Sequence, residues 1–369
     1  MKAGTKKKFE IDYLLLYVFI LLVSVGLVMI FSASPLVGLE NFKDPFYYIK
    51  RHLIYLFVGG GVFWLAFNYP VQKYRPRVGL MFAVTVGLLL ATYLPGIGIT
   101  AGGASRWINL GILSFQPSEI AKVTTLLFVA HALRNKSYVI KDFWKGVFPI
   151  LLIVGVIELF ILKQPDLGTA LTIALVTMVL VYVAGGALWQ LLILGLLAVR
   201  ILFWMVMRTP YQKNRILAFI DPWKDPLGVG FHIIQSLLAV GSGGILGVGL
   251  GQSRQKFSFL PQQFTDFVFA ILCEEGGLIL ATFVILLFLV LLFRGLRIGL
   301  NHPEPFAKLV AIGFTSQLVL QGFMNMMVAT SLLPTTGIPL PFISYGGTSL
   351  IVSMFMMGTL LQLSKEVTK

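Results

Sequence analysis

Runs of about twenty apolar residues recur along this chain, and a run of that length leaves little choice of fold. In helical form it spans a bilayer core, and only helices or closed barrels can satisfy their backbone there. Such runs lie near residues 11–33, 53–69, 78–95, 117–134, 146–162, 167–185, 187–207, 267–293, 306–328 and 341–363. Ten spans follow, although the pair covering 167–207 is divided only by Gly185 and Gly186, so nine or eleven stay open. Only 12% of the residues are charged, about half of the roughly 25% that a water-facing domain carries. The sole cysteine, Cys273, rules out an internal disulfide framework. The expected fold is all-α: one polytopic membrane bundle over residues 1–369, with a long loop at 208–266 between spans 7 and 8.

The net charge of +14 does not point to nucleic acid, because the cations sit in short clusters between apolar runs. Lys6-Lys7-Lys8 precedes an apolar run without a cleavage-type site before its end, so the first span is read as retained. With ten spans both termini share one side. That side receives Lys2, Lys6, Lys7, Lys8, Lys73, Arg75, Arg77, Arg134, Lys136, Lys141, Lys145, Arg294, Arg297, Lys308, Lys365 and Lys369. The short loops opposite hold only Lys43, Lys50, Arg51, Arg106 and Lys163. The positive-inside rule then puts both termini in the cytoplasm. The 208–266 loop, with Arg208, Lys213, Arg215, Lys224, Arg254 and Lys256, runs against this, but loops of that length obey the rule weakly.

Segments 96–116, 163–166, 208–266 and 329–341 emerge on the opposite, outer side and hold most of the residues that span chemistry does not need. Pro117 suits the first position of a helix, which puts Glu119 and Lys122 on one face a turn into the membrane. They form either a packing ion pair or the wall of a polar cavity, with Lys122 or Arg106 meeting an anion. Asp166, in the turn that follows Lys163, is either a helix cap or part of the same cavity. Residues 211–220 read as an interfacial helix, and 230–251 as a glycine-rich stretch that is re-entrant, flat or simply flexible. Asp266 is a carboxylate at a helix entrance, either a cap or a general base. Glu274 sits about 12 Å deeper at about 1.5 Å per residue, too far for a two-carboxylate glycosidase. Glu274 and Glu275 read as packing or partner-binding groups. Three prolines and three glycines between Leu333 and Gly347 imply broken helix, with Ser344, Tyr345, Thr348 and Ser349 as donors to a headgroup.

Taken together these residues resemble the SEDS family (shape, elongation, division and sporulation). The resemblance rests on Arg106-Trp107, Gln116-Pro117-Ser118-Glu119, Gln164-Pro165-Asp166-Leu167-Gly168-Thr169, Asp225-Pro226-Leu227-Gly228, Gly249-Leu250-Gly251 and Thr265-Asp266-Phe267. Pro341-Phe342-Ile343-Ser344-Tyr345-Gly346-Gly347 is its most specific stretch. Gly251-Gln252-Ser253-Arg254-Gln255-Lys256-Phe257 before Leu260-Pro261 looks more like the FtsW and sporulation branch than the RodA branch. The family usually carries His before the Thr-Asp pair, where Phe264 stands here.

The resemblance implies a glycosyltransferase of the bacterial cytoplasmic membrane that polymerises lipid II on its outer face, with Asp266 as the catalytic residue. It also implies a class B penicillin-binding protein, a transpeptidase, as partner, alongside other membrane proteins of the division or elongation machinery. On this expectation Asp266 takes the proton from an acceptor 4-hydroxyl as it attacks the donor's anomeric carbon. Undecaprenyl pyrophosphate leaves, and Arg106, Lys122, Arg215 and Arg254 are candidates to neutralise it. A divalent cation, Mg or Mn, could share that role, though no ligand cluster is legible. Glu119, Lys163, Asp166, Ser344 and Tyr345 complete the expected substrate-binding set. The rival expectations are a lipid II flippase with working acids deep in its spans, such as Glu274, and a scaffold in which Asp266 is dispensable.

Overall fold

A computed structural model describes residues 11–94, 96, 98–101, 104–109, 114–134, 139–208, 210–256 and 263–367. Of the sequence features above, Lys2, Lys6, Lys7, Lys8, Lys136, Lys369, Phe257, Leu260 and Pro261 lie outside the described residues.

Each apolar run becomes a helix. The chain opens with α1 (Tyr13–Ala33), the short α2 (Pro35–Phe42), α3 (Tyr47–Asn68) and α4 (Val78–Ala91). Asp12 starts α1 by accepting the Leu15 N–H at 3.1 Å. A small antiparallel sheet follows, β1 (Gly98–Ala101), β2 (Ala104–Asn109) and β3 (Ser114–Phe115), in the order β1-β2-β3. Ile99 and Trp107 are register partners, and Ile108 opposes Phe115, a branched–aromatic pairing that favours strands. The apolar periodicity gave no sign of this sheet.

Then come α5 (Pro117–Leu133), α6 (Phe148–Lys163), α7 (Leu167–Val183) and α8 (Leu188–Arg208). Gly185, at a φ of 100°, makes the turn that separates α7 from α8 and so resolves the ambiguous pair into two helices. The long loop folds into α9 (Pro210–Ile220) and α10 (Phe231–Ser242), and the chain ends in α11 (Val268–Asn301), α12 (Pro305–Ala329) and α13 (Gly347–Ser364). Six of the described helices, some with their leading turns, are long and apolar enough to cross a membrane.

The centre of the bundle is α12 and α13, whose spanning stretches are 83% and 89% buried, against 39% for α1. Their sequences explain this. Gln317, Gln321 and Asn325 recur every four residues and so share one face of α12, which must find hydrogen-bond partners inside the protein because lipid offers none. Elsewhere the outward faces carry exposed Leu, Ile, Phe and Trp, among them Trp64, Leu80, Trp189 and Leu196, as lipid-facing surface should.

One helix is broken. In α11, Gly277 takes φ 63° and ψ −165°, a conformation that only glycine adopts without strain. The break frees backbone groups, and the segment after α10 satisfies them. Val248 and Gly249 donate N–H to the carbonyls of Glu274 and Glu275, and Leu278 and Ile279 donate to the carbonyls of Gly244 and Ile245, all within 2.9–3.3 Å. The glycine-rich stretch is thus neither flat nor loose: it is docked against the middle of a helix.

Candidate active site

Asp266 stands in the turn that enters α11, and three residues fix it. Asn325 on α12 donates to the Asp266 backbone carbonyl and to that of Ile338, both at 2.8 Å. Ser344 donates to the Thr265 carbonyl at 2.5 Å, and the Tyr345 N–H donates to the Phe264 carbonyl at 2.8 Å. Each partner is held in turn. Gln321, one turn below Asn325, donates to the Pro339 carbonyl at 2.9 Å, so the α12 stripe supports the whole proline-rich segment from beneath. That segment lies across the bundle as irregular backbone, tolerated because it is enclosed by protein.

The Asp266 side chain, by contrast, is left free. The residue at the N-cap of α11 is Phe267, without a side-chain cap, and among the described residues no hydrogen bond reaches the Asp266 carboxylate. The carboxylate helps line a cavity of about 430 Å³, together with Asn214 and Arg215 of α9, Asp225, Gly228 and Val229 of the following turn, His232 of α10, Phe267, Val328, Thr335 and Gly337. Loss of bulk water there pushes its pKa up to about 6, while the Arg215 and then the Arg106 guanidinium pull it down and Asp166 adds to the rise. Asp225, the other carboxylate of this wall, is committed to its own turn, accepting the N–H groups of Gly228 and Val229 at 3.1 and 3.2 Å. The His232 ring lies parallel to Phe267 with centroids 6.1 Å apart, and burial followed by the Arg215 charge lowers its pKa.

The two arginines are braced rather than floating. Arg215 donates to the Thr335 carbonyl at 3.0 Å. Arg106, on β2, donates to the carbonyls of Gln164 and Pro165 at 2.7 and 2.6 Å, so the sheet is pinned to the turn between α6 and α7. Asp166 caps α7 through the Thr169 N–H at 3.2 Å and also accepts from Gln116 and Ser118 at 3.3 Å. Asp166 is therefore a buried cap, absent from the cavity lining, whose charge is nonetheless felt at Asp266.

Several expected substrate contacts are not brought to this cavity. Glu119 and Lys122 pair at 2.7 Å with both side chains no more than 3% exposed, and Lys122 also donates to Gln321 at 2.7 Å. The pair is sealed within the protein, and neither group lines the cavity. Lys163 and Arg254 are exposed and absent from the cavity lining. The Arg254 backbone N–H donates to Glu274 at 2.9 Å. Ser344 and Tyr345 hold the Asp266 turn from behind instead of donating into the cavity. Phe264, in the place of the family's usual His, packs against the Tyr48 and Tyr345 rings at 4.6 and 5.7 Å and is likewise absent from the lining.

Sequence reasoning missed Asn325, Gln321 and Thr335. The first two were signalled by amides at four-residue spacing inside an apolar span; nothing in the sequence singled out Thr335 beyond its proline-rich surroundings.

The FtsW/RodA/SpoVE family, described as cell cycle proteins, matches residues 12–369. This chain belongs to that family. A probable peptidoglycan glycosyltransferase FtsW of Geobacter sulfurreducens is 42% identical over 356 residues, 96% of this chain and 95% of that protein. Stage V sporulation protein E of Bacillus subtilis is also 42% identical, over 361 residues, 98% of this chain and 99% of that one. Among solved structures, a peptidoglycan synthase complex described as coordinating polymerization and crosslinking matches with a TM-score of 0.79 and 30% identity, over 97% of this chain and 99% of that one. The Thermus thermophilus rod shape determining protein RodA matches with a TM-score of 0.71 and 27% identity, over 97% and 98% of the two chains. The family has a polytopic helical fold, and this chain lies on its FtsW and sporulation side.

Proposed function

We infer that this chain is a peptidoglycan glycosyltransferase that joins lipid II units into glycan strands during division or cell-wall synthesis, with Asp266 as general base. The observation that carries the reading is an uncommitted carboxylate with a pKa of about 6, in the wall of a cavity that also holds Arg215. A base of that strength is ionised at neutral pH, yet accepts a proton more readily than an ordinary aspartate. The acceptor's 4-hydroxyl attacks the donor's anomeric carbon and passes its proton to Asp266. The new C–O bond forms as the bond to pyrophosphate breaks, which inverts an α-linked donor to a β-1,4 linkage. Arg215 neutralises the departing undecaprenyl pyrophosphate, and Arg106 adds to the positive field. A Mg or Mn ion sharing this role would add positive charge at the pyrophosphate; among the described residues no three of His, Cys, Asp and Glu gather as a metal site.

The charge asymmetry of the loops supports cytoplasmic termini, which puts the cavity on the outer face, where lipid II is polymerised. A class B penicillin-binding protein is the partner this reading calls for, since new strands must be crosslinked. The test is purified chain with lipid II, with and without that transpeptidase, assayed for glycan strands. Wild type should make polymer and Asp266→Asn should make none while still binding its partner. Polymer from Asp266→Asn refutes the assignment; translocation of lipid II without polymer moves the chain to a transporter.

A further inference from the structure

Nine residues beyond Asp266, at the depth where α11 breaks, lies a charged cluster that the proposed chemistry does not use. Glu275 is buried, with both carboxylate oxygens 2.7 Å from the Ser32 hydroxyl of α1, whose single O–H they share, and Lys256 Nζ donates to it at 3.2 Å. Lys256 Nζ also stands 3.4 Å from the Ser32 hydroxyl. Beside it Glu274 accepts from the Ser253 hydroxyl and from the N–H groups of Arg254 and Gln255 at 2.9 and 3.4 Å. Gln263 donates to the Ala33 carbonyl at 2.9 Å, so α1 grips the same excursion of chain twice. Lys256 and Glu275 bracket Asp266, ten residues before it and nine after it. Their ion pair therefore closes a loop with the reactive carboxylate near its midpoint.

Stability alone does not account for charges in such a place. A buried ion pair gains little over apolar side chains of similar size, because desolvation cancels most of its attraction. Its distinctive property is register: an ion pair with a shared hydroxyl accepts one arrangement, whereas apolar contacts tolerate slippage. The docked glycine segment repeats this logic in backbone form. Gly247, at φ 79°, sits so close to the Glu275 carbonyl that an added Cβ would lie 2.2 Å from it.

We propose that Lys256, Glu275 and Ser32 form a clasp that positions Asp266, so that these three residues set the rate of glycan transfer without touching substrate. The proposal rests on Asp266 being the general base. It is tested in full-length chain reconstituted with its transpeptidase and lipid II, with kcat normalised to folded protein. Lys256→Met should lower kcat about 10- to 100-fold, the effect of displacing a reacting group by about an ångström, with KM for lipid II within about twofold. Lys256→Arg, which keeps the charge, should recover most of the rate. Ser32→Ala leaves the ion pair intact and should lower kcat about threefold. Wild-type kcat in folded Lys256→Met overturns the clasp. If Lys256→Met does not fold, wild-type kcat in Ser32→Ala overturns it instead. Wild type and Asp266→Asn run alongside: polymer from Asp266→Asn would remove the general base and the clasp's role with it, whereas a dead Asp266→Asn beside an unimpaired Lys256→Met refutes the clasp alone.

Discussion

Replacing Asp266 by asparagine should abolish polymerisation and at the same time make the protein more stable. The carboxyl's pKa rises from an ordinary aspartate value of 3.8 to about 6 on folding. At about 1.4 kcal/mol per unit this is roughly 3 kcal/mol of disfavoured charge. The side chain faces an open cavity, and screening there leaves about 1–2 kcal/mol. Between pH 4 and 6 the folded carboxyl keeps a proton that the unfolded one has released. Raising the pH through that window therefore removes stability, and the whole cost is present above about pH 6. Asparagine carries no charge and escapes the cost. Thermal unfolding in one detergent at pH 7.5 should place Asp266→Asn roughly 2–4 °C above wild type, with the difference vanishing near pH 4. Loss of a general base should meanwhile cost about 100- to 10,000-fold in rate. An asparagine variant no more stable than wild type at pH 7.5 would refute the claim that the fold holds this carboxylate at a strained charge. A substantial residual rate would refute its role as base.

Three further outcomes follow from the geometry. Arg215→Met removes the larger of the two cationic influences on Asp266, so the acid limb of the pH–rate profile should move above about 6; an unmoved limb would show that the arginine does not act on this carboxylate. Gly277→Ala places a Cβ 2.3 Å from the Gly247 nitrogen at a φ of 63°, and should cost at least about 3 kcal/mol by thermal unfolding. Lys122→Met strands Glu119 in a dry site and should cost about 3–5 kcal/mol, most of it recovered when Glu119→Leu is added; an unchanged melting temperature in the single variant would show that the pair is hydrated.

The parts of the fold legible in the sequence were those governed by short-range rules. Apolar runs of span length became helices, Pro117 began α5, Asp166 capped α7, and the prolines between Leu333 and Gly347 broke the helix where expected. Asp266 was recognisable as a carboxylate at a helix entrance, though its sequence left both a cap and a base open. In the structure α11 has no side-chain cap, so the Asp266 carboxylate is not used as one. Side-chain direction was the weakest inference. Lys122, Lys163, Arg254, Ser344 and Tyr345 were all expected at the site, yet one is sealed, two are exposed and two serve as braces. A residue's position in sequence says how far it can reach and nothing about which way it faces.

Sequence alone determined that this chain lives in a membrane and what it is made of, because lipid enforces twenty-residue apolar helices through backbone hydrogen bonding, a constraint written locally in every span. The tertiary structure decided which of many polar groups are committed to partners and which face the cavity. Glu274, Glu275, Asp266 and Glu119 are all acids near or within spans, and composition treats them alike. Only the packed bundle gives three of them partners and leaves Asp266 facing open space, because hydrogen-bond satisfaction inside lipid depends on neighbours far apart in the chain.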